Sequence, residues 1–432
     1  MNKNILIENV KSIDTTWNET VLDNAHIWIT NNKISAVSTE SFDVQTKKQA
    51  DKIIEGNGNY LLPGFINTHT HAAMTLLRSY ADDLPLMDWL ENKIWPAEAK
   101  LSEEEIRWGT LLAIVEMIKS GTTTFADMYF FMDEVAKAVD ESGIRASLSR
   151  GMIGLKGEES LDEAQAFIRQ WNNQGNGRIT CMVGPHAVYT CPPDFIRKTL
   201  ELSEQLQVPI HIHVSETAKE LHDSYKDFGK SPIAHLNDLG VFQRPTLAAH
   251  CVHIDKADIA ILAQKNVAVS HNIGSNLKLG SGIAPVDQLL NENVTVSLGT
   301  DGASSNNNLD LLEEARLSSI IQKGLHHDPT LIPAKEALKM ATWQGAKSLF
   351  IEHEVGQIAP GYMADLILID KEQADMLPWH DPISNIIYSC SSRNVKTVMV
   401  NGEIIMEDQE LKTIDEEKVY AQARKMAERL IH

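Results

Sequence analysis

Eight short apolar runs, each followed by a stretch with helical spacing, fill the middle of this 432-residue chain and restrict its fold more than any other feature. The runs are YLLPGFINTHTH, TTTFADMYF, IRASLSRGM, ITCMVGPHAVY, VPIHIHVSE, TLAAHCV, VAVSHN and VTVSLGTDG. Between them, SEEEIRWGTLLAIVEMIKSG and DFIRKTLELSEQLQ repeat apolar residues at the spacing of one helix face. MDEVAKAVDESG adds Gly143 where such a helix should stop. Strands alternating with helices in this way predict an α/β fold, a TIM-like (β/α)8 barrel.

The two ends of the chain read differently. NILIENV, AHIWIT and KISAVS near the start are β-rich, with TNNK and NETV as turns between strands. ADLILID and VKTVMVNGEIIME near the end are β-rich as well, and Asn401-Gly402 marks a hairpin. Residues 1–62 and 351–432 are therefore expected to build one small composite β-sandwich domain with a C-terminal helix. Residues 63–350 are expected to form the barrel.

Composition narrows the partners. A hydrophobic content of 43% supports a sizeable core, and the formal net charge is −20. So acidic a chain repels phosphate backbones and anionic lipid, so neither nucleic acid nor membrane is expected as a partner. No apolar run approaches the roughly 20 residues that span a bilayer. The opening MNKNILIENV lacks the long apolar stretch of a secretory signal. Four cysteines without a CxxC pair fit a reducing, cytoplasmic setting.

Polar residues gather at the C-terminal ends of the apolar runs, the end that carries the active site in such barrels. His69 and His71 close the first run, and residues i and i+2 of a strand share a face. An HxH pair alone is a weak metal signal among 16 histidines. The fifth run offers His211 and His213, with Glu216 three residues on; the sixth ends at His250 and the eighth at Asp301. Ionisable groups rarely bury without a partner, so this set is hard to explain as packing.

The run PGFINTHTH, these strand-end residues and ATWQGAKSLFIEHEVGQIAPGYMADLILID together resemble the amidohydrolase superfamily over nearly the whole chain. The resemblance implies that His69, His71, His213 and Asp301 are metal ligands and that His250 sits beside the activated water. Binuclear members use a lysine or carboxylate at the end of strand four, and ITCMVGPHAVY has none. One divalent ion is therefore expected, Zn2+ first, with Fe2+ or Mn2+ as alternatives. The superfamily pattern assigns the ligand role to His213, three before the glutamate, and leaves His211 as a hydrogen-bonded barrel residue. Glu216 suits a proton shuttle, Asp301 a proton acceptor and His250 a stabiliser of developing charge. The zinc deaminases with a P-C-x-x-C signature are excluded, because the chain lacks it.

SYADDLPLMDWLENKIWPAEAKL, GPHAVYTC and GTDGASSNNNLDLLEEAR are similar to the 5′-methylthioadenosine/S-adenosylhomocysteine deaminases of that superfamily. This implies that Glu98 binds ribose hydroxyls, His186 the purine and Trp89 the 5′ side. It also implies that Arg150 meets the far end of the substrate, such as a homocysteine carboxylate. The expected partner is an adenosine thioether bound by a homo-oligomer. Rival readings are a hydrolase of guanine, cytosine or a chloro-s-triazine on the same scaffold, and a non-catalytic nucleoside-binding barrel.

Overall fold

The computed structural model describes residues 3–16, 20–84 and 86–431. All eight middle runs are strands: β1 (Phe65–Thr70), β2 (Thr122–Tyr129), β3 (Arg145–Met152), β4 (Ile179–Pro185), β5 (Ile210–Val214), β6 (Thr246–His250), β7 (Ala268–His271) and β8 (Val296–Leu298). They form one parallel sheet in which each strand pairs with the next in sequence. The seam between β8 and β1 is joined by separate bonds. Asp301 N–H donates to the His69 carbonyl at 2.9 Å, and the Thr68 hydroxyl donates to the Leu298 carbonyl at 2.9 Å.

Buried on both faces, these strands carry almost no exposed side chains, as parallel strands covered by helices require. In β5, Ile210, Ile212 and Val214 join the main core, which leaves His211 and His213 on the opposite, inward face. The N-terminal end of the barrel is filled by Ile66, Ala126, Met182, Leu247 and Ala268, packed with Ala346 and Leu349 from the chain beneath. Polar side chains occupy the other end.

The helices match their sequence signals. Glu103–Lys119 opens at Ser102, whose backbone N–H donates to Glu105 at 3.1 Å. Met132–Ser142 ends at Gly143, with φ +80°.

The chain ends build a second, nine-stranded sheet, antiparallel except where Asn4–Ile13 pairs with Lys52–Glu55 and Tyr60–Pro63. Strands from both ends share this single ladder, through Leu366–Ile369 paired with Tyr60–Pro63. Its period of two separates two faces. Leu61, Leu366, Leu368 and Met399 enter a core of the sheet's own with Ile5, Ile7 and Ile27. Tyr60, Leu62, Ile367, Ile369 and Val398 face the barrel core. Asn401 and Gly402 both have positive φ, as a type I′ hairpin requires. The turn expected at NETV falls on residues 18 and 19, outside the described residues.

The C-terminal helix, Glu416–Ile431, packs against the barrel helix Glu103–Lys119. Val419, Ala423, Met426 and Leu430 join the main core, and Lys119 and Arg429 pair with Glu416 and Glu104 between this helix and Glu103–Lys119.

Candidate active site

The polar ends of β1, β5, β6 and β8 converge on one point. His69 Nε2 lies 3.4 Å and His71 Nε2 3.3 Å from the same oxygen, Asp301 Oδ1. His213 Nε2 lies 3.3 Å from His71 Nε2. Donor atoms of His69, His213 and His250 also fall within 4.8 Å of one another.

Each ring is turned by a bond at its other nitrogen. His71 Nδ1 is 2.6 Å from the Met128 carbonyl, His213 Nδ1 2.8 Å from the His186 carbonyl, and His250 Nδ1 2.8 Å from Asn276 Oδ1. His69 Nδ1 instead meets His211 Nε2 at 2.8 Å. Asp301 accepts from the hydroxyls of Ser275 at 2.6 Å and Ser305 at 2.9 Å. Ser215, His250, Cys251 and Asp301 all hold positive φ, backbone strain of the kind concentrated at functional sites. Gly299 makes room for this geometry, since a Cβ there would lie 2.9 Å from His69 Cβ.

Burial decides the charges. It lowers the pKa of His69 and His186 to about 4 and pushes His211 and His213 well below the usual histidine value, so these rings are neutral near pH 7. Burial also opposes the charge of Asp301, but His69, His71 and His250 outweigh it and hold Asp301 well below the usual carboxylate range. His250 goes the other way. Burial disfavours its charge, and the carboxylates of Glu216 and Asp301 more than offset that.

Neutral imidazoles and an ionised carboxylate, aimed at one point by bonds behind them, suit a divalent cation. His69 Nε2 supports the fit directly. It is fully buried with no hydrogen-bond partner among the described residues, which is costly unless something else takes its lone pair.

The cluster lies at the floor of a cavity of about 940 Å³ lined by His71, His213, His250 and Asp301. Glu216, Glu98, Trp89 and His186 line it too. Glu216 follows β5, with its Oε2 3.9 Å from His250 Nε2. Burial raises its pKa; His250 and His71 pull it back and Asp301 adds to the rise. Glu98 accepts from the Tyr129 hydroxyl at 2.6 Å. Burial raises the pKa of its carboxyl. The indole N–H of Trp89 is buried without a partner among the described residues. His186 Nδ1 lies 2.9 Å from the Thr190 hydroxyl.

Arg150 is not among the lining residues. It shares strand parity with Leu148 and Met152, which face the helices, while Ser149 lies within 3.3 Å of His211 inside the barrel. Its guanidinium pairs with Glu163 and lies 5.5 Å from the centre of the Phe130 ring, which does line the cavity.

Several supporting residues have no sequence reading. Glu220 accepts from the N–H groups of Ser215 at 2.9 Å and Glu216 at 2.8 Å, clamping the turn that carries Glu216. Thr217-x-x-Glu220 is a helix-start pattern and marks that residue in advance. Ser275 and Asn276 lie on the short helix Ile273–Lys278 after β7 and Ser305 on a turn after β8, and no periodicity or spacing marks them.

The Amidohydrolase family model matches residues 60–405. A 5-methylthioadenosine/S-adenosylhomocysteine deaminase from Syntrophomonas wolfei subsp. wolfei is 51% identical over 430 residues, covering 99% of each chain. Among solved structures, an adenosine deaminase from Xanthomonas campestris with bound zinc superposes with a TM-score of 0.94 at 33% identity, covering 99% of this chain and 98% of that one. An atrazine chlorohydrolase from Arthrobacter aurescens TC1 complexed with zinc gives a TM-score of 0.90 at 26% identity, over 98% and 100% of the two chains. With the barrel, the strand-end cluster and a match of this length, the chain belongs to the amidohydrolase family.

Proposed function

We propose that the chain is a metal-dependent aminohydrolase that replaces the 6-amino group of 5′-methylthioadenosine and S-adenosylhomocysteine with an oxo group and releases ammonia. Adenosine and 5′-deoxyadenosine are further substrates to test. The reading rests on one juxtaposition: Glu216 beside the histidine cluster, and a second carboxylate, Glu98, in the wall of the same cavity. The activity named for the relative at 51% identity agrees with it.

In this reading His69, His71, His213 and Asp301 hold one divalent cation, Zn2+ in preference to Fe2+ or Mn2+. Three nitrogens and one carboxylate oxygen suit a borderline ion. Bound there, the ion supplies Lewis acidity that activates a water near neutral pH. Glu216, protonated, gives its proton to ring N1 as the water oxygen bonds to C6. Asp301 takes a proton from that water and passes it to the departing amine. The Glu216 carboxylate takes the remaining hydroxyl proton as the C6 oxo group forms, the C6–N bond breaks, ammonia leaves and Glu216 is protonated again. His250, 3.9 Å from the Glu216 carboxyl, stabilises the negative charge that develops. His186 orients the purine and Trp89 packs near the 5′ side.

Glu98 accepts from the two ribose hydroxyls, and a carboxylate has the lone pairs to take both. Hydrogen bonds to a charged group contribute roughly 1.5–3 kcal/mol. Glu98→Ala should therefore lower kcat/KM on methylthioadenosine about 10–100-fold while leaving the affinity for free adenine unchanged. Equal losses on both would remove the ribose role. A ribose-free guanine, cytosine or chloro-s-triazine has no use for Glu98, so the same variant separates those readings.

Arg150 reaches an anionic tail only by leaving Glu163. Arg150→Ala should cost S-adenosylhomocysteine more than methylthioadenosine, by about tenfold in kcat/KM, the scale of one charge-assisted bond. Equal effects on the two thioethers would leave Arg150 as a structural ion pair.

The same reading takes residues 63–350 as the catalytic unit and residues 1–62 with 351–432 as the end domain. It also takes the protein to be a cytoplasmic homo-oligomer that binds no nucleic acid, for light scattering and a mobility-shift assay to check. An ammonia-release screen over the adenosine thioethers, adenosine, guanine and cytosine tests the function itself. Release from the ribose-free bases alone would overturn it.

A further inference from the structure

We propose that His211 is a positioning residue for the metal site, fixing the tautomer of His69 through the inward chain Ser149–His211–His69. The proposal rests on the reading above that His69 holds a cation, and concerns what prepares His69 to do so.

Two of the proposed ligand rings are anchored by groups that can only accept. His71 meets a backbone carbonyl and His213 another. Each of those acceptors forces the ring proton onto Nδ1 and leaves the Nε2 lone pair free. His69 has no such acceptor. Its Nδ1 lies 2.8 Å from His211 Nε2, a ring nitrogen that can donate or accept. The tautomer of His69 is thus set by that of His211.

Two arrangements carry equal numbers of protons. In one, His211 Nδ1–H donates to Ser149 Oγ, 3.3 Å away, and His211 Nε2 accepts from His69 Nδ1–H. His69 Nε2 is then a bare lone pair facing the site. In the other, the Ser149 hydroxyl donates to His211, His211 Nε2–H donates to His69, and the His69 proton sits on Nε2. That hydrogen would point at Asp301 Oδ1, 3.4 Å away, and would keep the lone pair from a cation. Ligation therefore requires the first arrangement, with the proton on Nδ1 held by His211. His69, His211 and Ser149 are all fully buried, so bulk water does not supply an alternative partner. The His69 and His211 ring planes stand at 85°, which directs the nitrogens at each other rather than stacking the faces.

Partners behind metal ligands typically contribute 10–100-fold in affinity. The test is Zn2+ affinity of the full chain, measured by competition with a chelating dye, with no turnover involved. His211→Leu removes the acceptor and should weaken Zn2+ binding by about 10–100-fold. His211→Gln places a side-chain oxygen near the original Nε2 and should stay within about threefold of wild type, a rescue that a merely space-filling role would not give. Wild-type affinity in His211→Leu, or an equal loss in His211→Gln, would overturn the proposal. Should His211→Leu not fold, His211→Asn serves in its place. Its shorter amide ends near the Nδ1 position and leaves His69 unpaired, so full affinity there would also overturn the proposal. Failure of wild-type protein to bind one equivalent of Zn2+ would count against the metal site itself, which keeps the two failures distinct.

Discussion

Glu216→Gln should retain metal and substrate binding and lose about 10²–10⁴-fold in kcat, the usual contribution of a positioned general acid or base. The side chain keeps its size, so the cavity and its neighbours are undisturbed. What goes is the exchangeable proton. Burial, the largest influence on this carboxyl, raises its pKa, so near neutral pH the proton is more available than on an ordinary glutamate. An amide cannot carry that proton to a ring nitrogen or collect it again. The measurement is kcat beside the dissociation constant for methylthioadenosine. Turnover within tenfold of wild type would remove the shuttle role. A parallel rise in the dissociation constant would make Glu216 a binding group.

Removing the metal should abolish activity altogether. After dialysis against a chelator, ammonia release is expected to fall below detection and to return on addition of one equivalent of Zn2+, Mn2+ or Fe2+. The rates after each addition, with metal content by elemental analysis, identify the ion that serves best. The reason lies in the residues. Asp301 is ionised, and His69 and His213 are buried neutral bases. Without a cation no group on the chain lowers the pKa of water enough for attack on an aromatic carbon. Full turnover in metal-free protein would overturn this assignment. A bound ion also stabilises the folded state by mass action, so the melting temperature should fall with chelation.

Much of this was legible in the sequence because two periods carry it. A strand period of two put His69 with His71 and His211 with His213, and alternation of runs with helical stretches gave the barrel. The same period bears on Arg150. Its parity with Leu148 and Met152 points it at the helices, and the pair with Glu163 follows from that. Contacts between segments distant in the chain were not legible. The oxygen of Asn276 behind His250, and the hydroxyls of Ser275 and Ser305 on Asp301, depend on how the segments after different strands meet. The C-terminal helix is similar. Its apolar stripe declares that it packs, but only the tertiary arrangement selects the barrel as its surface.

The join between β8 and β1 has a consequence of its own. Most neighbouring pairs of barrel strands are paired along a ladder, β4 and β5 by a single residue pair, whereas β8 and β1 meet through a few separate bonds, one of them from Asp301 to the carbonyl of His69. Asp301 and His69, one of the pairs that fasten the ring, are also two of the proposed ligands. A cation between them would work as a clasp on an otherwise open cylinder. Catalytic competence and closure of the fold would then draw on the same few atoms. A substitution that adjusts how tightly the ion is held would also adjust how firmly the cylinder stays shut, and neither property could drift far without the other.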